Sequence, residues 1–270
     1  MRQRILAWTL IALTVSVIIL TCGFAASEAK WPKTSSNQKT NSKLKVDIGN
    51  SSEGYFMAAV ASKNKHKMKL RVEKDGETLT YDLNNSGKFE VFPFQLGSGK
   101  YEISLWENVS GKKFSAAGKV SVNVKLKRED AAFLYPNQYV NYGKNDQVVG
   151  MSIKVCRDKE GKEAYKAIKE YISENFRYDY VKAATIKPSM LPDIDTCFTK
   201  KTGVCQDLSA VMVAMLRVQG IPSRLVIGYA DKIYHAWVVC EVEGKKVLFD
   251  PTAAVSKSKN AAKYSIERYY

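Results

Sequence analysis

Histidine is almost missing from this chain: there are two, His66 and His235, in 270 residues. Zinc sites gather several histidines and cysteines at short spacing, and the five cysteines here form no Cys-x-x-Cys pair. A metal site is therefore not expected. Nor does the cysteine spacing suit a small disulfide-stapled scaffold. There is no internal repeat, and no nucleic-acid-binding module can be recognised, so nucleic acid is not an expected partner. Carboxylates are also few: 27 Asp and Glu face 42 Lys and Arg, for a net charge of +15. Part of this excess belongs to the solvated faces of strands. The rest draws the chain toward anionic surfaces such as acidic lipid or wall polymers. Apolar residues make up 45% of the chain, enough to bury a core, and its length suits two modest domains.

The first residues suggest where that charge operates. A basic MRQR is followed by the uncharged run ILAWTLIALTVSVIIL, then GFAASEAKW with small residues at Ser27 and Ala29. This is the layout of a secretory signal, and the apolar run is about long enough for a membrane helix. Residues 1–29 are accordingly read either as a cleaved signal or as an uncleaved anchor. Cys22 sits in a poor lipoprotein context, because Thr21 precedes it. On both readings the remainder is secreted or otherwise extracytoplasmic, and its membrane contact is confined to that segment. Anionic cell-envelope polymers are then the expected polyanionic partners. Outside the cytoplasm disulfides are allowed, which leaves a Cys156–Cys197 bridge open.

Residues 30–43 (KWPKTSSNQKTNSK) are polar and aperiodic, and read as a flexible linker. Residues 44–127 read as strands. The runs YFMAAVAS, KMKLRVEKDG, ETLTYDLNNSG, KFEVFPFQLGSG, KYEISLWENVSG and KFSAAGKVSVNVKL are separated by turn signals, with hairpin-type breaks at Asp75-Gly76 and Asn84–Gly87. Six or seven such strands predict an all-β immunoglobulin-like sandwich. His66, in the polar SKNKHKMK stretch, is given no role. Residues 128–270 mix helix and strand. After an aromatic connector (128–158), Ala164, Ile168, Ile172 and Phe176 form a helical stripe of step four. The segment KPSMLPDIDTCFTKK is read as a loop. A second amphipathic helix carries Leu208, Val211, Met212, Met215 and Leu216 and ends at Gly220 and Pro222. The runs RLVIGYA, YHAWVVCEVE and KKVLFDPT follow as strands, the last two joined at Glu243-Gly244-Lys245.

Cys205 opens the second helix. The free N–H groups and positive end of a helix dipole favour thiolate over thiol and can stabilise an oxyanion beside the sulfur. Asp207 opposes this unless the fold turns it away. A nucleophilic sulfur needs a base, and the base needs an orienting group. His235 lies on the strand YHAWVVCEV, sharing a face with Trp237, Val239 and Glu241. Asp250 ends the next strand. Through the hairpin, His235 is 9 residues back from Gly244 and Asp250 is 6 forward, near enough to meet, allowing for a bulge. Cys, His and Asp in this order on a helix and paired strands fit the nucleophile–base–orienter logic. Around them, Tyr178, Tyr180 and Gln206 either line a cleft or donate to an oxyanion, or else pack or face solvent. Trp237 either walls the site or fills the core. Cys240 should be a buried free thiol facing away from His235.

GVCQDLSAVMVAMLRVQGIPSRLVIGY, YHAW and LFDPT resemble the transglutaminase-like superfamily, especially its secreted bacterial members. The resemblance covers about residues 130–255. FLYPNQYV, NFRYDYVKA and the preceding sandwich are also similar to firmicute members. It implies an α+β, papain-like transglutaminase core preceded by the sandwich. Cys205 would be the nucleophile, His235 the base and Asp250 the orienter, acting on a protein or peptide substrate without a cofactor or metal. One departure is Gln206-Asp207-Leu208-Ser209, where such members often carry an aromatic or acidic residue and then Asp-Tyr-Ala. The chemistry expected is acyl transfer at a glutamine carboxamide or peptide amide. The alternatives are a cysteine protease or amidase with the same triad, and a non-enzymatic cell-envelope binding protein.

Overall fold

The computed structural model describes residues 29–187, 189–258 and 262–270. The expected signal or anchor and Cys22 lie outside them, apart from Ala29. No helix among the described residues is long and apolar enough to cross a membrane.

The N-terminal half holds eight strands: β1 (Gln38–Asn41), β2 (Leu44–Asp47), β3 (Tyr55–Val60), β4 (Met68–Lys74), β5 (Glu77–Leu83), β6 (Glu90–Pro93), β7 (Gly99–Ser110) and β8 (Lys113–Val124). They form two four-stranded antiparallel sheets, ordered β1-β2-β3-β6 and β5-β4-β7-β8. Alternation decides which side faces in: Met68, Leu70 and Val72 of β4 are buried, while Lys69, Arg71 and Glu73 are partly exposed. The sheets meet through aromatic rings, Tyr81 on Phe92 at 5.1 Å and Phe94 on Tyr101 at 4.8 Å. Asp75 and Gly76 make the expected tight hairpin, both at positive φ (51° and 85°). Asn84–Gly87 is not a hairpin: β5 and β6 belong to different sheets, so this turn crosses between them.

The segment expected as a flexible linker is instead held against the sandwich. Trp31 packs edge-on to Tyr142 at 5.7 Å. Ser35 donates from its N–H and its hydroxyl to Asp47, both at 2.6 Å, and β1 pairs with β2 along its length. The carboxylate of Asp47 is buried and needs such donors; a polar segment is what supplies them.

The C-terminal half contains α1 (Gln147–Val155), α2 (Gly161–Asn175), β9 (Arg177–Tyr178), α3 (Tyr180–Thr185), α4 (Ile194–Lys200), β10 (Thr202–Gly203), α5 (Cys205–Val218), β11 (Ser223–Ala230), β12 (Ile233–Val242), β13 (Lys245–Phe249), α6 (Pro251–Val255) and β14 (Tyr264–Tyr269). An antiparallel sheet ordered β13-β12-β11-β14 packs on α5, whose residues from Asp207 to Val218 are all buried. Helix α2 turns Ala164, Ile168 and Ile172 inward, the stripe expected from its spacing. The stretch read as a loop holds α4, and α3 comes just before it; each is started by an aspartate whose side chain accepts a backbone N–H, Asp179 from Lys182 and Asp193 from Thr196.

Arg217 ties the connector to the C-terminal half. It is fully buried and donates to the carbonyls of Ser223, Tyr135 and Tyr270 at 2.6–3.0 Å. Burial lowers its pKa to about 10, so it remains a cation paired with carbonyl dipoles. Tyr270 also stacks on Tyr139 of the connector, with centroids 3.5 Å apart.

Candidate active site

Cys205 is the first residue of α5 and is only partly buried. The turn before it depends on Gly203: a Cβ there would lie 2.6 Å from Cys197 Sγ and 2.9 Å from Asp207 Cβ. Asp207 is turned away from the sulfur, as a thiolate requires. Fully buried, it receives Lys182 Nζ at 2.6 Å, the N–H of Val204 at 3.0 Å and the N–H of Asp193 at 3.0 Å. Its negative charge is spent on bracing α3, the start of α4 and its own helix N-terminus.

The base arrives on β12. Ser209, one helical turn past Cys205, donates to the carbonyl of Ala236 at 3.2 Å, fixing α5 against the strand at the residue beside His235. Beyond β12, Glu243 and Gly244 both take positive φ (50° and 73°) and close a two-residue hairpin. The ladder runs from Val242 opposite Lys245 to Val238 opposite Phe249. Continued by one pair it sets Asp250 across from Trp237, two residues from His235. Asp250 then caps α6, with Pro251 at the first helical position, and accepts the N–H of Ala253 at 3.1 Å. His235 Nε2 lies 2.8 Å from Asp250 Oδ2. With Nε2 so engaged, Nδ1 is the ring nitrogen left for the sulfur, and Cys205 and His235 line the same cleft.

Electrostatics sharpen this geometry. Burial alone would lower the His235 pKa, but the hydrogen bonds to Asp250 and Cys205, with their charges, outweigh it and raise the value to about 9. Burial would raise Asp250, yet the His235, Ala253 and Tyr264 hydrogen bonds hold it below the usual carboxylate value. The imidazole therefore keeps its second proton at neutral pH. Residues 151–251 match the family model of the transglutaminase-like superfamily.

These residues are a transglutaminase-like core domain. The chain is 28% identical over 153 residues to the uncharacterized protein YebA of Bacillus subtilis, an alignment covering 48% of this chain and 21% of YebA. It thus spans about a fifth of that curated relative. Among solved structures, it is similar to a candidate cysteine protease from Cytophaga hutchinsonii (17% identity, TM-score 0.41, 86% of this chain and 90% of the other). It is also similar to the periplasmic domain of TgpA from Pseudomonas aeruginosa (14% identity, TM-score 0.37, 84% and 99%).

Beside Cys205 and His235 lies a cleft of about 210 Å³, lined also by Tyr178, Gln206, Lys187 and Arg268. Tyr178 is placed there by the short pairing of β9 with β10, opposite Gly203. Gln206 lines the cleft but donates its amide to the Met190 carbonyl at 2.9 Å, bracing the lip instead of aiming at an oxyanion. Trp237 is wholly buried and outside the cleft lining, with its ring centroid 6.4 Å from His235. Tyr180 is largely exposed and packs edge-on against Tyr178. Cys156, Cys197 and Cys240 are buried free thiols, so no Cys156–Cys197 bridge forms. Burial raises the Cys240 pKa to about 12. Among the described residues no group of three His, Cys, Asp or Glu is placed to hold a metal. His66 is exposed between β3 and β4, beside the Asn108 carbonyl.

Two residues with a bearing on the site escaped sequence reasoning. Ser209 reads as one more helix position. Tyr264 donates to Asp250 Oδ2 at 2.8 Å and belongs to β14, a strand whose polar sequence YSIERY gives no core-facing pattern. Neither had a signal in the sequence beyond residue type.

Proposed function

We propose that this chain is a cysteine enzyme catalysing acyl transfer at a glutamine carboxamide or peptide amide, with Cys205 as nucleophile, His235 as proton carrier and Asp250 as orienter. The observation that carries the reading is the convergence of Cys205 and His235 on one cleft, with His235 Nε2 held by Asp250 at 2.8 Å. The Cys205 sulfur attacks the carbonyl carbon, and the electron pair of the C=O bond moves to oxygen. The N–H of Cys205, free of an intrahelical partner at the helix start, is a donor for that oxyanion. The imidazolium passes its proton to the departing nitrogen as the C–N bond breaks, leaving a thioester and ammonia or an amine. An incoming amine or water then loses a proton to His235, attacks the thioester and releases the sulfur.

Amide hydrolysis with the same residues is the second reading. Cys205 is partly exposed, so water has access to the thioester. The cleft lining includes Lys187 and Arg268 and no Asp or Glu among the described residues, which favours acyl donors bearing negative charge. We read the sandwich as immunoglobulin-like and the protein as extracytoplasmic, on the strand spacing and the layout of residues 1–29. Its basic surface would serve to hold it on anionic envelope polymers.

The test is incubation with glutamine peptides, acidic and basic, with and without a primary amine. Ammonia release with amine incorporation supports transamidation, and new N-termini support proteolysis. Absence of both, with a Cys205→Ala variant that keeps envelope binding, would leave only a binding protein.

A further inference from the structure

We infer that Tyr264 is a positioning residue for this triad: its hydroxyl holds the same Asp250 oxygen that faces His235. The inference rests on the acyl-transfer reading above. Asp250 Oδ2 is 2.8 Å from His235 Nε2 and receives the Tyr264 hydroxyl at 2.8 Å, while Oδ1 receives the Ala253 N–H at 3.1 Å. Three elements, β12, β14 and α6, thus fix the rotation and plane of one carboxylate. A carboxylate held only by His235 and its own helix would lose one of these restraints.

The ring of Tyr264 is held in turn. It packs on Trp237 with centroids 4.9 Å apart, and Trp237 lies 6.4 Å from His235 with the two planes only 23° apart. Tyr264, Trp237 and His235 thus form one continuous row of rings. This accounts for the complete burial of Trp237 outside the cleft.

The approach of β14 requires a glycine. Gly228 is paired with His235 on one side and Ile266 on the other, at a bulge in the β11–β14 ladder. A Cβ on Gly228 would fall 2.1 Å from the Ser265 carbonyl oxygen and 2.9 Å from the Glu267 nitrogen. Both contacts are backbone, so they cannot swing aside. The glycine opposite the base is therefore what lets the strand carrying Tyr264 come close.

The hydroxyl has an electrostatic consequence as well. A carboxylate oxygen that answers to two donors shares its charge between them, so Tyr264 weakens the grip of Asp250 on the imidazolium proton. That proton must leave for the departing amine. Tyr264 remains a donor throughout the working range, because burial, then the Asp250 bond and charge, push its own pKa well up.

The experiment compares wild type with Tyr264→Phe, which keeps the ring packed on Trp237 and removes only the hydroxyl. Cys205 is alkylated with iodoacetate across pH 6 to 10, and kcat and KM are measured on the best glutamine peptide. Iodoacetate is an anion, so its rate drops where the imidazolium loses its charge. The expected result is an unchanged melting temperature, an unchanged KM, a kcat lower by about tenfold, and an alkaline drop moved to higher pH. A 3-fluorotyrosine at position 264, a stronger donor, moves that drop to lower pH and covers the case in which the Phe variant does not fold. An unmoved drop and wild-type kcat in Tyr264→Phe would overturn the inference while leaving the triad standing. A wild-type profile with no alkaline drop would overturn the triad reading and this inference with it.

Discussion

The hydroxyl of Ser209 donates to the Ala236 carbonyl across 3.2 Å, within the buried seam between α5 and β12. Cys205 is one turn up the helix and His235 is the next residue on the strand. This single bond therefore sets the register of the sulfur against the imidazole, two groups 30 residues apart in sequence.

Replacing Ser209 by alanine is expected to cost about 1 kcal/mol, the net worth of a buried hydrogen bond plus the stranded carbonyl. It should also slow iodoacetate alkylation of Cys205 several-fold, because the helix gains freedom to slide. Ser209→Val, which adds volume in a packed seam, is expected to be worse on both counts. Urea unfolding and alkylation rates check this. Lost stability with an unchanged alkylation rate would mean that the bond serves the core only.

Asp207 offers a different kind of test. Its carboxylate is fully buried and serves Lys182, Val204 and Asp193 together. Asp207→Ala leaves two backbone donors unpaired and Lys182 without its counter-ion, for an expected loss of about 3 kcal/mol. Lys182 is 28% exposed and can turn to water, which keeps the loss at the lower end for a broken buried pair. Denaturant midpoints of Asp207→Ala and Asp207→Asn measure it. A change below about 1 kcal/mol would show that the carboxylate is not the brace described.

The raised pKa of His235, about 9 against an ordinary 6.5, predicts how stability varies with pH. The folded state binds the proton more tightly than the unfolded chain. The stabilisation is therefore complete below about pH 6.5 and disappears as pH rises through about 9. Its ceiling is about 3 kcal/mol. Thermal melts should show wild type losing more stability between pH 6.5 and 9.5 than His235→Gln, which has nothing to titrate there. Parallel pH dependence in the two proteins would rule out the charged imidazole.

Much of this architecture could be read from the residues, and what could not has physical reasons. The stripe of Ala164, Ile168, Ile172 and Phe176 is a local pattern, and it is buried as its spacing demands. The start of α5 at Cys205 and its stop before Gly220 follow from local signals too, as does the turn at Gly244, a glycine at positive φ. The meeting of His235 with Asp250 followed from strand pairing through that turn. The missed features are short or non-local. α4 has only seven residues, too few for a periodic pattern. β1 is polar because its side chains all face water, so it resembles a linker. β14 reaches the site only through pairing with β11, a partner more than 30 residues away. Tyr264 was therefore invisible, although it touches the orienting carboxylate. Gln206 does line the cleft, with its amide on the Met190 carbonyl, whereas Trp237 is buried outside it; proximity in sequence to Cys205 and His235 does not say where an amide or an indole points.

The account depends most on the imidazolium beside the Cys205 sulfur, and that is best measured by the rate of Cys205 alkylation with iodoacetate as a function of pH in wild type and in His235→Gln. The account predicts fast alkylation at neutral pH in wild type, a drop as the pH passes about 9, and at least a tenfold slower reaction without that drop in the variant. Equal rates and superimposable profiles in the two proteins would contradict it.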